Sequence, residues 1–199
     1  MKRIILNTIV FTVVVAAANA QLGSRPAGYA DYVDEDFEIA FYYPERWYVG
    51  NGSDSIWVVN REALLGDLNR EAPDVQPGDA MLTFGILPTM LLSMMGISVE
   101  DQGAIVDGIF ENMMAEDADL QNRERATHQF GGREVPSILF DNVSHEVSGI
   151  VFVTREQENV IVFGVALGFR EDLVSQHEQL ARVVSTVEFT GSLESLMGQ

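Results

Sequence analysis

Apolar positions recur along this chain with two different periods, and each change of period marks an element. Phe37-Glu38-Ile39-Ala40-Phe41-Tyr42-Tyr43 alternates and is rich in aromatics, which predicts a half-buried strand. Pro44-Glu45-Arg46 interrupts it, and Trp47-Tyr48-Val49 resumes an extended stretch. Asn51-Gly52 is the strongest short turn signal, so Ser55 to Asn60, built around Trp57, Val58 and Val59, reads as the return strand of a hairpin. Arg61 to Ala80 holds one helical turn at Glu62 to Leu68, then a loop punctuated by Pro73, Pro77 and Gly78. Ala80 to Leu87 predicts another strand, and Pro88 to Gly96 a Met- and Leu-rich linker.

The period then changes to that of a helix. Ile105, Val106, Ile109, Phe110, Met113 and Met114 fall on one stripe, as in a helix lying on a sheet. Ser98 with Asp101 three residues later resembles a capping box and predicts Ser98 as the N-cap. Ala126 to Phe130, Gly131-Gly132 and Arg133 to Asp141 predict a hairpin. Glu146 to Arg155 and Val160 to Phe169 predict a second, joined by Glu156-Gln157-Glu158-Asn159. Val160-Ile161-Val162-Phe163 is apolar on both faces, which places its strand centrally in a sheet. Arg170 to Val184 predicts a second helix with Leu173, His177, Leu180 and Val184 inward, and Thr186 to Phe189 a last short strand. Two helices with six or seven antiparallel strands give an α+β fold: an antiparallel β-sheet with helices packed on its faces.

The two ends read differently from the middle. Lys2 and Arg3 precede a mostly apolar run from Ile4 to Ala18, and Ala18-Asn19-Ala20 is an A-x-A cleavage site. Residues 1–20 therefore read as a cleaved signal peptide, 21–35 as a flexible acidic lead-in, 36–191 as a single domain and 192–199 as a frayed tail. The expected location is extracytoplasmic, periplasmic or secreted, with no transmembrane segment after cleavage. From Gln21 onward the chain carries ten arginines, no lysine and thirty carboxylates, a formal charge of −20. Nucleic acid is thereby excluded as a partner, because its binding depends on cations releasing phosphate counterions. The absence of cysteine excludes disulfides, thiol catalysis and thiolate metal sites.

Three segments resemble one family. Phe37 to Val49, with its Tyr43-Pro44-Glu45-Arg46-Trp47 core, resembles the opening stretch of PsbP-like proteins. Gly131-Gly132-Arg133-Glu134-Val135 is similar to that family's Gly-Arg hairpin element, and Leu180 to Phe189 to its closing helix and strand. This family includes the extrinsic P subunit of photosystem II and its bacterial relatives. The resemblance implies an α/β/α sandwich without a shared catalytic site, used for assembly and partner binding. The lack of lysine is a departure from the photosystem subunit, whose docking the resemblance assigns to basic residues.

Candidate chemistry is sparse. His128, His145 and His177 lack metal-ligand spacing, no G-x-S-x-G elbow is present and no Gly-rich phosphate loop opens a helix, so no cofactor is expected. His177 reads as a satisfied packing histidine. Asp31, Asp34, Glu35 and Asp36, and likewise Glu116, Asp117 and Asp119, read as solvated acids rather than a calcium loop. The one segment that asks for a partner is Met90, Leu91, Leu92, Met94 and Met95. Most of it is expected to be buried against the sheet, with one or two methionines at the surface; exposed, it would form an adaptable contact surface. The leading expectation is a non-catalytic, exported module that binds another extracytoplasmic protein or assists its assembly. The alternatives are a secreted hydrolase using Ser144, His145 and Asp141, or a weak carrier of calcium or manganese.

Overall fold

The computed structural model of the protein describes residues 24–52, 55–67, 75–116, 119–143 and 146–191. Its first half comprises strands β1 (Tyr29–Asp34), β2 (Ile39–Pro44), β3 (Tyr48–Asn51), β4 (Ile56–Val59) and β5 (Ala80–Pro88), with a 3-10 turn at Glu62–Asp67. Helices α1 (Thr89–Met94) and α2 (Gln102–Glu116) follow. The second half is β6 (Leu120–Phe130), β7 (Arg133–Asn142), β8 (Val147–Gln157), β9 (Val160–Gly168), α3 (Arg170–Ser185) and β10 (Glu188–Phe189).

Seven strands form one antiparallel sheet in the order β3-β4-β5-β9-β8-β7-β6. The doubly apolar β9 lies in the middle of that order, as its pattern demanded. Alternation then divides its side chains, and those of β8, between two cores. Ile150, Phe152, Val162 and Ala166 face α3 and meet Leu173, Leu180 and Val184. Val151, Val153 and Ile161 face the other way and meet Ile105, Val106 and Phe110 of α2. Burial of each such side chain stabilises the fold by roughly 1.5–3 kcal/mol relative to exposure. A three-stranded sheet, β1-β2-β10, joins the first core through Tyr29, Ile39 and Phe41. The fold is thus α+β, with helices on both faces of the large antiparallel sheet. Among the described residues no helix is long and apolar enough to cross a membrane.

Three local devices fix this arrangement. Gly131 (φ 57°) and Gly132 (φ 87°) both take positive φ at the β6–β7 turn, the combination that a tight two-residue hairpin requires. Gly149 pairs with Phe140 across β7 and β8, and the Phe140 ring occupies the space where a Cβ would stand. At the sheet's far end Asp141 accepts from Ser148 Oγ (2.6 Å), Asn122 Nδ2 (2.7 Å) and Arg170 (2.7 Å). Burial alone would raise the Asp141 pKa, but these donors outweigh it and hold the carboxyl below its ordinary range. One carboxylate thereby ties β6, β7, β8 and α3 together.

Several expectations are corrected. Residues 21–35 are not simply a lead-in, because Tyr29–Asp34 pairs with β2 along its whole length. Its acids hid it: Asp31 points outward, while Asp34 accepts from the backbone N–H groups of Asp36 and Phe37 (both 3.0 Å) and closes the turn. The N-cap of α2 is Asp101, not Ser98. Asp101 Oδ1 accepts from Ala104 N–H (2.7 Å), the geometry an N-cap carboxylate provides. β8 runs on to Gln157, so the joining turn shrinks to Glu158-Asn159. Asn51 pairs with Ile56, so it is the last residue of β3 rather than a turn position.

The edges of the large sheet differ in length. β3 has four residues, whereas β6 has eleven. β6 exposes Gln121, Asn122, Arg123, Glu124 and Arg125 in succession, and its register shifts between Gln121 and Glu124 with Asn122 at φ 54°.

Candidate partner-binding surface

The segment from Met90 to Met95 is a helix, and most of it faces out. α1 begins directly after β5 at Pro88, whose extended backbone (φ −60°, ψ 136°) starts the turn. It ends at Gly96, where φ is 77°. Six residues make fewer than two turns, so only one position can point squarely inward. That position is Leu92, fully buried, with Ile97 beside it in the α2 core.

The sequence predicts burial of most of the segment, with one or two methionines at the surface; instead Leu91 and all three methionines are exposed and Leu92 alone of the five is buried. Met90 is 54% exposed, Leu91 37%, Met94 76% and Met95 56%. Helical geometry explains the distribution. Met90 and Met94 each lie about 160° around the axis from Leu92, on the pole opposite the core. Positions four apart are neighbours on a helix, so Met90 sits beside Met94, and Leu91 beside Met95 where the helix ends. The two pairs make one continuous apolar strip. Chain compactness misled the sequence reading: the strand-to-helix gap is closed by Leu92 and Ile97, and the methionines are surplus to it.

The aromatic residues of the β3–β4 hairpin are mostly structural. Trp47 packs against the α3-side core, Trp57 donates from Nε1 to Ser55 Oγ (2.7 Å), and Tyr48 is exposed. The histidines do not form a site with the expected residues. His177 packs inward from α3 with Ser137 Oγ 2.8 Å from its Nε2, and its ring lies edge-on to His128 (4.7 Å) and Phe152 (5.4 Å). Burial, followed by the neighbouring His128, lowers its pKa to about 4, so the ring is neutral at physiological pH. His128 stacks on Phe130, and its Nε2 is buried without a hydrogen-bond partner among the described residues. Ser137 is 1% exposed, which keeps substrate from this Ser–His contact. Of the postulated hydrolytic trio, Asp141 is held by Ser148, Asn122 and Arg170, while Ser144 and His145 lie outside the described residues. Asp117 of the second acidic cluster also lies outside them.

A groove of about 660 Å³ opens where the β6–β7 turn, the end of α3 and the segment around Arg25 converge. Its lining comes from separate stretches of the chain, 24–26, Tyr42, 129–133 and 182–188, and no local pattern announces them.

No family model matches the chain, and no curated protein matches it. Among solved structures it is similar to the solution structure of cyanobacterial PsbP (CyanoP) from Synechocystis sp. PCC 6803, at 14% identity and TM-score 0.43, covering 84% of this chain and 95% of that one. It is also similar to LpqN, involved in cell envelope biogenesis of Mycobacterium tuberculosis, at 11% identity and TM-score 0.41, covering 83% and 87%. A protein of unknown function, PA94, from Pseudomonas aeruginosa matches at 7% identity and TM-score 0.41, covering 76% and 90%. These likenesses concern the fold, and no residue's role passes from them to this chain.

Proposed function

We propose that the protein is an exported, non-catalytic module that docks another extracytoplasmic protein through the Met-rich face of α1. The exposure of Met90, Leu91, Met94 and Met95 around the single buried anchor Leu92 carries this reading. Exposed apolar side chains grouped in one strip favour recognition, and flexible methionines adapt to a partner's relief. Export rests on Lys2-Arg3, the apolar run after them and Ala18-Asn19-Ala20. With ten arginines against thirty carboxylates beyond the cleavage site, the complementary surface is apolar at its centre and basic at its rim.

The test compares the wild-type protein with Met90→Asp/Met94→Asp as baits in the native envelope or medium. The expected result is one partner retained by the wild type and lost by the variant, with the thermal midpoint unchanged. Equal retention by both baits would place binding elsewhere. Saturable substrate turnover without partner capture would overturn the non-catalytic reading.

A further inference from the structure

The chain is strongly acidic, yet the groove at the end of α3 gathers cations. Arg25, Arg133 and Arg182 line it with a single carboxylate, Glu188, and with the apolar surfaces of Pro26 and Phe130. These are three of the ten arginines beyond the signal sequence. A volume of about 660 Å³ falls in the range of small-molecule sites, roughly 300–1,000 Å³.

The three guanidinium groups are not equivalent. Arg133 is committed to structure. It donates to the carbonyl oxygens of Ser185 (3.0 Å), the last residue of α3, and of Val187 (2.9 Å) just beyond it, and lies 3.8 Å from Glu188. Arg182 lies over the Phe130 ring, 4.9 Å from its centroid, and meets Glu178 one helical turn away at 3.6 Å. Arg25 meets Asp31 at 3.4 Å, with both side chains more than half exposed. Exposed pairs of this kind contribute about 0–1 kcal/mol, so a ligand anion can replace them at little cost. The one negative charge in the lining, Glu188, is offset by Arg133, whose guanidinium lies 3.8 Å away.

We propose that this groove binds a small organic carboxylate, with the carboxylate between Arg25 and Arg182 and an aromatic or aliphatic body against Phe130 and Pro26. Guanidinium groups hold carboxylates through paired, charge-assisted hydrogen bonds. The apolar shelf beside them selects an amphipathic anion over a bare one. Because Arg133, the least exposed of the three, is held by the Ser185 and Val187 carbonyls while Arg25 and Arg182 make only exposed ion pairs, ligand exchange leaves the end of α3 intact.

The probe is phenylacetate, titrated by calorimetry into the mature protein at 0.15 M salt, where the Debye length is about 8 Å and the chain's overall negative field is damped. Saturable binding is expected, weakened about tenfold or more in Arg182→Gln and in Arg25→Gln. Neutral phenylacetamide should give no saturable heat. Phe130→Leu keeps an apolar side chain against the α3-side core but removes the ring beneath Arg182, and should weaken phenylacetate relative to the wild type at matched folded fraction. Absence of saturable binding, or unchanged affinity in Arg25→Gln/Arg182→Gln, would overturn the proposal. Inorganic phosphate binding as tightly as phenylacetate would overturn the part played by Phe130 and Pro26.

Discussion

Acidifying the protein from pH 7 to pH 5 should cost stability through His177. The ring is neutral in the folded state because its pKa is lowered from 6.5 to about 4, first by burial and then by His128. In the unfolded chain the same imidazole takes up a proton near its ordinary value. Between these two values the unfolded state binds more protons, so stability falls as pH falls through the window. At pH 5 the full gap corresponds to about 2 kcal/mol, and water at the half-buried ring trims this to about 1–2 kcal/mol. Glu156 and Glu188 act in the opposite sense, since burial raises both, and folded-state protonation then favours the native form as pH falls. Their contribution is shared by any His177 variant, so a difference measurement removes it. His177→Gln keeps a polar partner for Ser137 but cannot titrate. Urea unfolding of both proteins, followed by the fluorescence of Trp47 and Trp57 at constant ionic strength, gives the two slopes. The wild type should lose about 1–2 kcal/mol more than the variant between pH 7 and pH 5. Parallel losses would refute the assignment of a neutral, buried His177. Near pH 4 and below, Asp79 and Asp141 take over. Both are held below the ordinary 3.8, Asp79 chiefly by Arg61 and Asp141 by its three donors, so their stabilisation disappears as pH falls through their folded values.

Three mutational tests probe the architecture directly. Leu92→Ala should cost about 2–5 kcal/mol in urea unfolding, as fully buried leucines do, whereas Met94→Ala should stay within about ±0.5 kcal/mol; similar losses at both positions would contradict the orientation of α1. Gly149→Ala drives a Cβ into the Phe140 ring, which is only 3% exposed and enclosed, and should destabilise by about 1–3 kcal/mol on the same assay. Arg133→Gln strands the carbonyls of Ser185 and Val187 and should lower stability by about 1–3 kcal/mol, with faster amide exchange at the end of α3.

The elements that declared themselves in the sequence were those with a long, clean period. β9 was central because its run is apolar on both faces, and the inward positions Leu173, Leu180 and Val184 of α3 are all fully buried. β1 and the first half of β6 stayed hidden because their pairing is made by backbone groups while their side chains are largely polar. In β6 the five residues from Gln121 to Arg125 are all exposed and carry no alternation to read. α1 was legible as apolar but not as exposed, since periodicity over six residues cannot say which side meets the core. The groove was beyond reach for a different reason. Arg25, Phe130 and Arg182 come together only after the β6–β7 hairpin, the N-terminal strand and α3 have packed, so chain distance conceals them.

The blunted edge strand β6 bears on how partners can approach. Recruitment by strand addition needs a flat run of unpaired amides along which an extended peptide can continue the ladder. Here the longer edge is broken by its register shift at Gln121/Glu124, and Arg123 and Arg125 both reach across to Asp107 on α2. The opposite edge, β3, offers only four residues. Backbone templating, including growth between copies at high concentration, is thereby confined to short runs: the four residues of β3 and the stretch of β6 after the register shift. Such short edges favour recognition at that sheet through side chains, which sets a sharper sequence requirement on the partner than main-chain pairing would.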